Sequence, residues 1–261
     1  MTRATRLSVT LLLGIWLPVA LIALWWYGSA GSYDPYFPAL QTIVTRLTDI
    51  WFWEGVQVNL LPSLGHLAVG YFLAAVVGIG VGALLWRLPP LATALHPVMY
   101  FLYVLPSPAL LPAVMLVFGL GTAMKVWIIF FTAVWPILLN TVDGLRGTDT
   151  VKLDLARSMN LTTLQTLRLV VIPSASPQIF AGLRTGLQFG IILMVVSEFA
   201  AATEGIGYFI LYAQQTFRIT DMWTGILVLG VVGSILNFLF LRLERRVLRW
   251  HYRARTALNL V

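Results

Sequence analysis

Few side chains in this sequence can hold a proton, a metal ion or a nucleophile. Among 261 residues there are 10 acids, three histidines and no cysteine, which excludes thiolate catalysis, disulfides and cysteine-ligated metals. No HExxH, GxSxG or phosphate-cradling P-loop pattern occurs, and no pair of acids has the spacing of a metal or proton-relay site. Asp143, Asp149 and Asp154 fall in a polar stretch. Glu198 is the one acid inside a long apolar block, where an ionised group is costly and is a functional residue by default. Gln188 and Asn140 also lie in apolar blocks, and with Glu198 they are candidates for lining a passage; His66 and Asn237 read as hydrogen-bonding groups between helices. Neither bond-breaking chemistry nor coupling to an ion gradient is visible, so energy must enter from elsewhere.

The elements that carry these residues are membrane spans. The chain is 59% hydrophobic and 10% charged, far from the roughly 25% charged residues of a soluble domain. Its apolar residues come in blocks, and about 20 of them in a helix cross a bilayer. Six blocks qualify, at about 8–27, 64–86, 98–119, 123–141, 179–200 and 222–241. They do not alternate as barrel strands would. The first follows Arg3 and Arg6 and ends in Trp25, Trp26 and Tyr27, an aromatic belt rather than a cleavage site, so it reads as an uncleaved anchor.

Charge sets the expected orientation. With a cytoplasmic N-terminus, fourteen basic residues face inward: Arg3, Arg6, Arg87, Arg146, Lys152, Arg157, Arg168, Arg184 and the six of the tail from Arg242 to Arg255. Arg46, Lys125 and Arg218 alone face outward. Both termini are therefore placed in the cytoplasm, and the basic tail reads as a lipid-headgroup anchor, not a nucleic-acid patch. In the outer segment, Pro38 at a helix start followed by Leu40, Ile43, Val44, Leu47, Ile50 and Trp51 predicts an amphipathic helix. It is either a lid on the neighbouring spans or a surface for a partner. Two stripes of small residues, Gly70, Ala74, Gly78, Gly82 and Gly182, Gly186, Gly190, predict helices in close backbone approach.

The longest inner loop, about 142–178, carries two short helical stripes. Val151, Leu155, Met159 and Leu161 form one; Leu164, Leu167 and Val171 form the other. Asn160 stands between them, where a left-handed turn is wanted, and Thr162 or Thr163 is placed to cap the second helix, which is expected to end before Pro173. Too polar to insert, the pair makes a knob that another protein could grip.

This loop resembles the EAA loop of ABC-importer permeases through Asp154, Leu155, Ala156, Asn160 and Val170-Val171-Ile172-Pro173. Pro106 to Pro112, Phe118-Gly-Leu-Gly121, Lys125, Ala181 to Arg184, Ser197-Glu198, Gly205 to Tyr208 and Leu243 to Arg246 resemble, in order, the nitrate, taurine and aliphatic-sulfonate permeases. Three positions depart from the pattern. Asp154 keeps the charge with a shorter reach, Asn160 tolerates the left-handed turn, and Leu155 adds bulk where alanine would pack closely.

The resemblance implies an all-α protein with the type I ABC-importer permease fold, one permease domain over 1–261, in a bacterial inner membrane. It implies coupling through Asp154, Leu155, Ala156, Asn160, Leu161, Thr163, Leu164 and Pro173 to a pair of ATPase subunits, which bind ATP and magnesium while this chain holds no cofactor. A second permease copy, a periplasmic or lipid-anchored binding protein and membrane lipid complete the expected partners, and the expected cargo is a small anion. The alternative reading is a secondary transporter or channel with Glu198 as its key acid.

Overall fold

The small-residue stripes decide how the helices meet. In the computed structural model, which describes residues 3–32 and 34–250, with side chains from Trp16 onward except that of Ala201, every regular element among the described residues is helical. Helix α1 is Arg3–Gly28 and α2 is Leu40–Trp51. A wide turn at Val56–Leu60 leads straight into α3, Leu61–Arg87. Then come α4, Pro89–Val104, α5, Leu111–Phe118, and α6, Thr122–Arg146. Helices α7, Thr150–Ser158, and α8, Thr163–Thr166, precede α9, Ile172–Ala201, and the chain continues as α10, Ile206–Gln215, and α11, Ile219–Val247.

Both stripes face α6. A Cβ on Gly70 would sit 2.8 Å from the Val126 carbonyl, and one on Gly78 or Gly82 would strike Ile137 or Thr141. Ala74, between them, is fully buried. From the other side, a Cβ on Gly182 would meet Asn140 at 2.7 Å, and one on Gly186 would lie 3.0 Å from the Ala133 carbonyl. Gly190 faces Leu67 and Ile129. Numbers rise together along α3 and α6, so those two run parallel, while α9 packs antiparallel on the other side of α6. Helix α6 is thus the most buried of the long helices, and α11 the barest.

Among the described residues four helices are long and apolar enough to cross a membrane: Val56–Arg87, Thr122–Arg146, Thr163–Ala200 and Ile219–Val247. They overlap the expected second, fourth, fifth and sixth blocks. The first expected block, 8–27, lies within α1. The expected block at 98–119 is not one straight helix. Instead α4 and the Ser107–Phe118 segment meet at 86°, because Pro106 pushes Leu105 out of the helical region; Leu105 has ψ 122, and Pro106 itself is extended with ψ 100. Ala92 and Met99 of α4 pack on the C-terminal half of α6, and Leu111 and Val114 of α5 on its N-terminal half.

The expected loop at 142–178 is mostly helical. Helix α6 runs on to Arg146, and a single continuous helix spans Thr163–Ala200. It does not stop before Pro173. A wide turn at Leu167–Val171 precedes this proline, and such a bulge absorbs the missing hydrogen bond and the ring clash that end an ordinary helix. The outer amphipathic helix forms, but Ala39 is its N-cap and Pro38 precedes it. Leu40, Ile43 and Trp51 are its buried residues, and Trp51 donates to Thr224 of α11 at 3.0 Å.

Candidate functional site

At one end of the bundle α7 and α8 project as a hairpin whose turns are fixed by side chains. Asp149 accepts from the Val151 N–H at 2.9 Å and caps α7. Asn160 turns the chain with φ 54, a left-handed conformation that asparagine adopts at modest cost. Thr162, not Thr163, caps α8, and Gln165 reaches back to the Thr162 N–H at 2.8 Å, closing a capping box. Asp154 pairs with Arg157 at 2.8 Å in solvent.

The hairpin's apolar residues divide between two faces. Ala156 is 2% exposed and turned inward, and the Leu161 N–H donates to its carbonyl at 3.1 Å. Leu155 is 62% exposed, so its bulk points outward and does not crowd the packing expected of alanine there. Val151, Met159 and Leu164 are exposed with it, and Thr163 is exposed too. A groove between the end of α3 (Ala83, Trp86, Arg87) and the hairpin (Thr162, Thr163, Leu167) opens beside them. Exposed apolar patches of this kind mark contacts with proteins, membranes or ligands.

At the opposite end a polar cluster is buried among α3, α6, α9 and α10. Glu198 is 1% exposed. One carboxylate oxygen accepts from Ser63 Oγ at 2.6 Å, and the other accepts from the Gly207 N–H at 2.8 Å. Ser63 Oγ in turn accepts from the Ile206 N–H at 2.9 Å. Glu198 therefore satisfies the start of α10, whose N-terminus favours a negative charge. The backbone must come close for this: Gly205 has φ 114, and a Cβ there would overlap the Glu198 carboxylate. Lys125 and Glu204 lie within electrostatic reach of both Glu198 and His66.

The same end is tied to α2. Asp221, in the first turn of α11, accepts from Arg46 Nε at 2.7 Å and pairs with Arg218 through its other oxygen. The hydrogen bond from Arg46 and the charge of Asp221 raise the Arg46 pKa above its ordinary value. The charges are distributed as the sequence suggests, with Arg46, Lys125 and Arg218 at this end. Arg87, Arg146, Lys152, Arg157, Arg168 and the arginines of α11 lie at the hairpin end. Arg253 and Arg255 lie outside the described residues.

The three passage candidates sit apart. Asn140 is spent locally, donating to the Pro136 carbonyl at 2.8 Å and accepting from Gln178 at 2.8 Å. Gln188 is exposed halfway along α9, between glycines buried on α6. Glu198 is enclosed. Ser63 and Asp221 escaped sequence reasoning, since their partners stand 135 and 175 residues away; only the Gly205-Ile-Gly207 pattern after Glu198 offered a signal.

Residues 60–249 match the family described as "Binding-protein-dependent transport system inner membrane component". The chain belongs to this family. The stretch covers everything from the first turn of α3 to the end of α11. Among relatives of this inner-membrane component, the putative aliphatic sulfonates transport permease protein SsuC of Bacillus subtilis is 29% identical over 91% of this chain and 87% of its own. The bicarbonate transport system permease protein CmpB of Synechococcus elongatus is 32% identical over 75% and 71%. In fold the chain is similar to a chain of the inward-facing MetNI methionine ABC transporter, with TM-score 0.63 and 20% identity over 76% of this chain and 97% of that one. The chain is thus a multi-pass membrane protein with the architecture of an ABC-importer permease.

Proposed function

We propose that this chain is the membrane-spanning permease subunit of an ATP-driven importer of small anions, and that the 150–173 hairpin docks a separate ATPase. The hairpin end then faces the cytoplasm with both termini, α1 and the bent α4–α5 pair complete six spans, and the protein sits in a bacterial inner membrane. It works with a second permease copy, two ATPase subunits that bind ATP and magnesium, and a binding protein on the outer side. The cargo class follows from relatives named for sulfonates and bicarbonate.

One observation carries the reading: the exposed hairpin is continuous with α9, as one helix from Thr163 to Ala200. A partner that moves the hairpin moves a helix whose glycines are locked onto α6. A soluble subunit can shift a membrane protein between two states only through contacts that differ between them, and this lever is where such contacts form.

The test uses the absence of native cysteines. A Thr163→Cys variant is co-expressed with a candidate ATPase carrying one cysteine in its docking groove. A disulfide whose yield changes with ATP is the expected result. Failure with every ATPase of the host, in membranes where the permease is folded, would reject the assignment.

A further inference from the structure

Helix α11 has two faces with different surroundings. Phe240, Glu244 and Leu248, four residues apart, mark the inner one. Phe240 and Leu248 are buried, and the Phe240 ring lies 6.0 Å from that of Phe180 on α9. The opposite face is uncovered. Val231, Ile235 and Phe238, then Arg242, Arg245 and Arg249, recur along it every three or four residues. Arg246 stands beside the last three, and all seven side chains are exposed.

The stripe changes chemistry along its length, from apolar within the membrane-crossing part of α11 to wholly basic at the hairpin end. The four arginines line one open hollow of about 470 Å³. Arg242 folds back over the Phe238 ring, 4.8 Å from its centre, and so ties the first charge to the last apolar residue. Among the described residues none of the four forms an ion pair. The acid within this stretch, Glu244, stands about 200° round the helix from Arg242, half-buried on the inner face. Two copies of the chain in one membrane run parallel, so a twofold contact through this face would set four arginines against four. Like-charge repulsion opposes that contact.

We infer that this face of α11 is a binding site for an anionic phospholipid. An acyl chain lies along Val231, Ile235 and Phe238, and the phosphate sits in the hollow among Arg242, Arg245, Arg246 and Arg249. From Val231 to Arg242 the helix rises about 16 Å, the depth of one leaflet of a hydrocarbon core about 30 Å thick. The arginines therefore stand at the level of the headgroups, where their planar forks match the paired oxygens of a phosphate. The site needs only an α11 that crosses the membrane, whatever the protein transports.

The purified full chain in detergent is titrated with dioleoylphosphatidylglycerol or with zwitterionic dioleoylphosphatidylcholine, and bound lipid is counted by native mass spectrometry. The anionic lipid is expected to be retained saturably and at lower concentration than the zwitterionic one. Excess glycerol 3-phosphate, which carries the charge without the chains, is expected not to displace it. Arg245→Gln with Arg246→Gln is expected to weaken retention about twentyfold, at about fivefold for each basic residue beside an anionic lipid surface. Arg146→Gln with Arg168→Gln removes the same charge elsewhere at the hairpin end and is expected to leave retention unchanged. All four positions are exposed, so neither variant loses core packing. Equal retention of the two lipids, equal loss in the two variants, or displacement by glycerol 3-phosphate overturns the inference. A second copy as the occupant is tested with Ile235→Cys in this cysteine-free chain. No disulfide between copies is expected when native membranes are oxidised, and its formation would give this face to the partner copy and overturn the lipid site.

Discussion

At the scale of the residue, Ser63 shows most clearly how a single hydroxyl joins three helices. It donates to Glu198, accepts from Ile206 N–H, and stands on α3, so its loss leaves two buried groups unsatisfied at once. Each orphaned buried polar group costs about 1–3 kcal/mol. Ser63→Ala is therefore expected to lower the unfolding midpoint in detergent and to loosen the start of α10, read as faster amide exchange at Ile206 and Gly207. Unchanged exchange there would show that α10 is held by packing alone. None of this was legible in the sequence beyond the expense of Glu198, because a lone acid in an apolar block reads equally as a transport residue or as a structural cap. What distinguishes them is the donor set, and its two members are a hydroxyl 135 residues away and a backbone N–H. Lys125 stands at the end where the charge count put it, but its burial, 3% exposed, was not legible in the sequence.

At the scale of the element, sequence periodicity served well wherever one face of a helix had to be small. Gly78 and Gly80 make the point within one helix. A Cβ on Gly78 would lie 2.8 Å from the Ile137 side chain, while nothing lies within 4 Å of one on Gly80. Gly78→Ala is expected to force α3 from α6 and cut the yield of folded permease. Gly80→Ala is expected to be neutral or stabilising by up to about 1 kcal/mol, the helix propensity of alanine over glycine. Thermal melts of the two purified variants decide the matter, and equal midpoints would mean that α6 yields to the methyl group. Prolines were read less well, since their effect depends on what surrounds them. Pro106 breaks a stretch that hydropathy alone joins, whereas Pro173 is carried through by the wide turn before it. Asn160 was legible, its φ of 54 being what the spacing of the two stripes asked for.

At the scale of the whole molecule, the two ends do different things. The far end is pinned, by the Ser63–Glu198–Gly207 cluster and by Asp221 holding both Arg46 and Arg218. The hairpin end is open, with apolar side chains in solvent and a groove beside them. Between the ends runs one helix from Thr163 to Ala200, weakest in backbone terms at the wide turn Leu167–Val171. If that helix transmits force, stiffness at this turn matters more than any contact it makes. Leu169→Gly with Val170→Gly tests stiffness directly. Leu169 is exposed and Val170 only half-buried, so little packing is lost, while each glycine weakens the helix by about 1 kcal/mol. The double variant is expected to keep the Thr163→Cys crosslink to the ATPase, since the capped hairpin above the turn is untouched, and to lose most solute uptake per ATP hydrolysed. Uptake at the parent's rate with the crosslink intact would show that α9 is not the lever, and that the spans respond through the groove between the end of α3 and the hairpin.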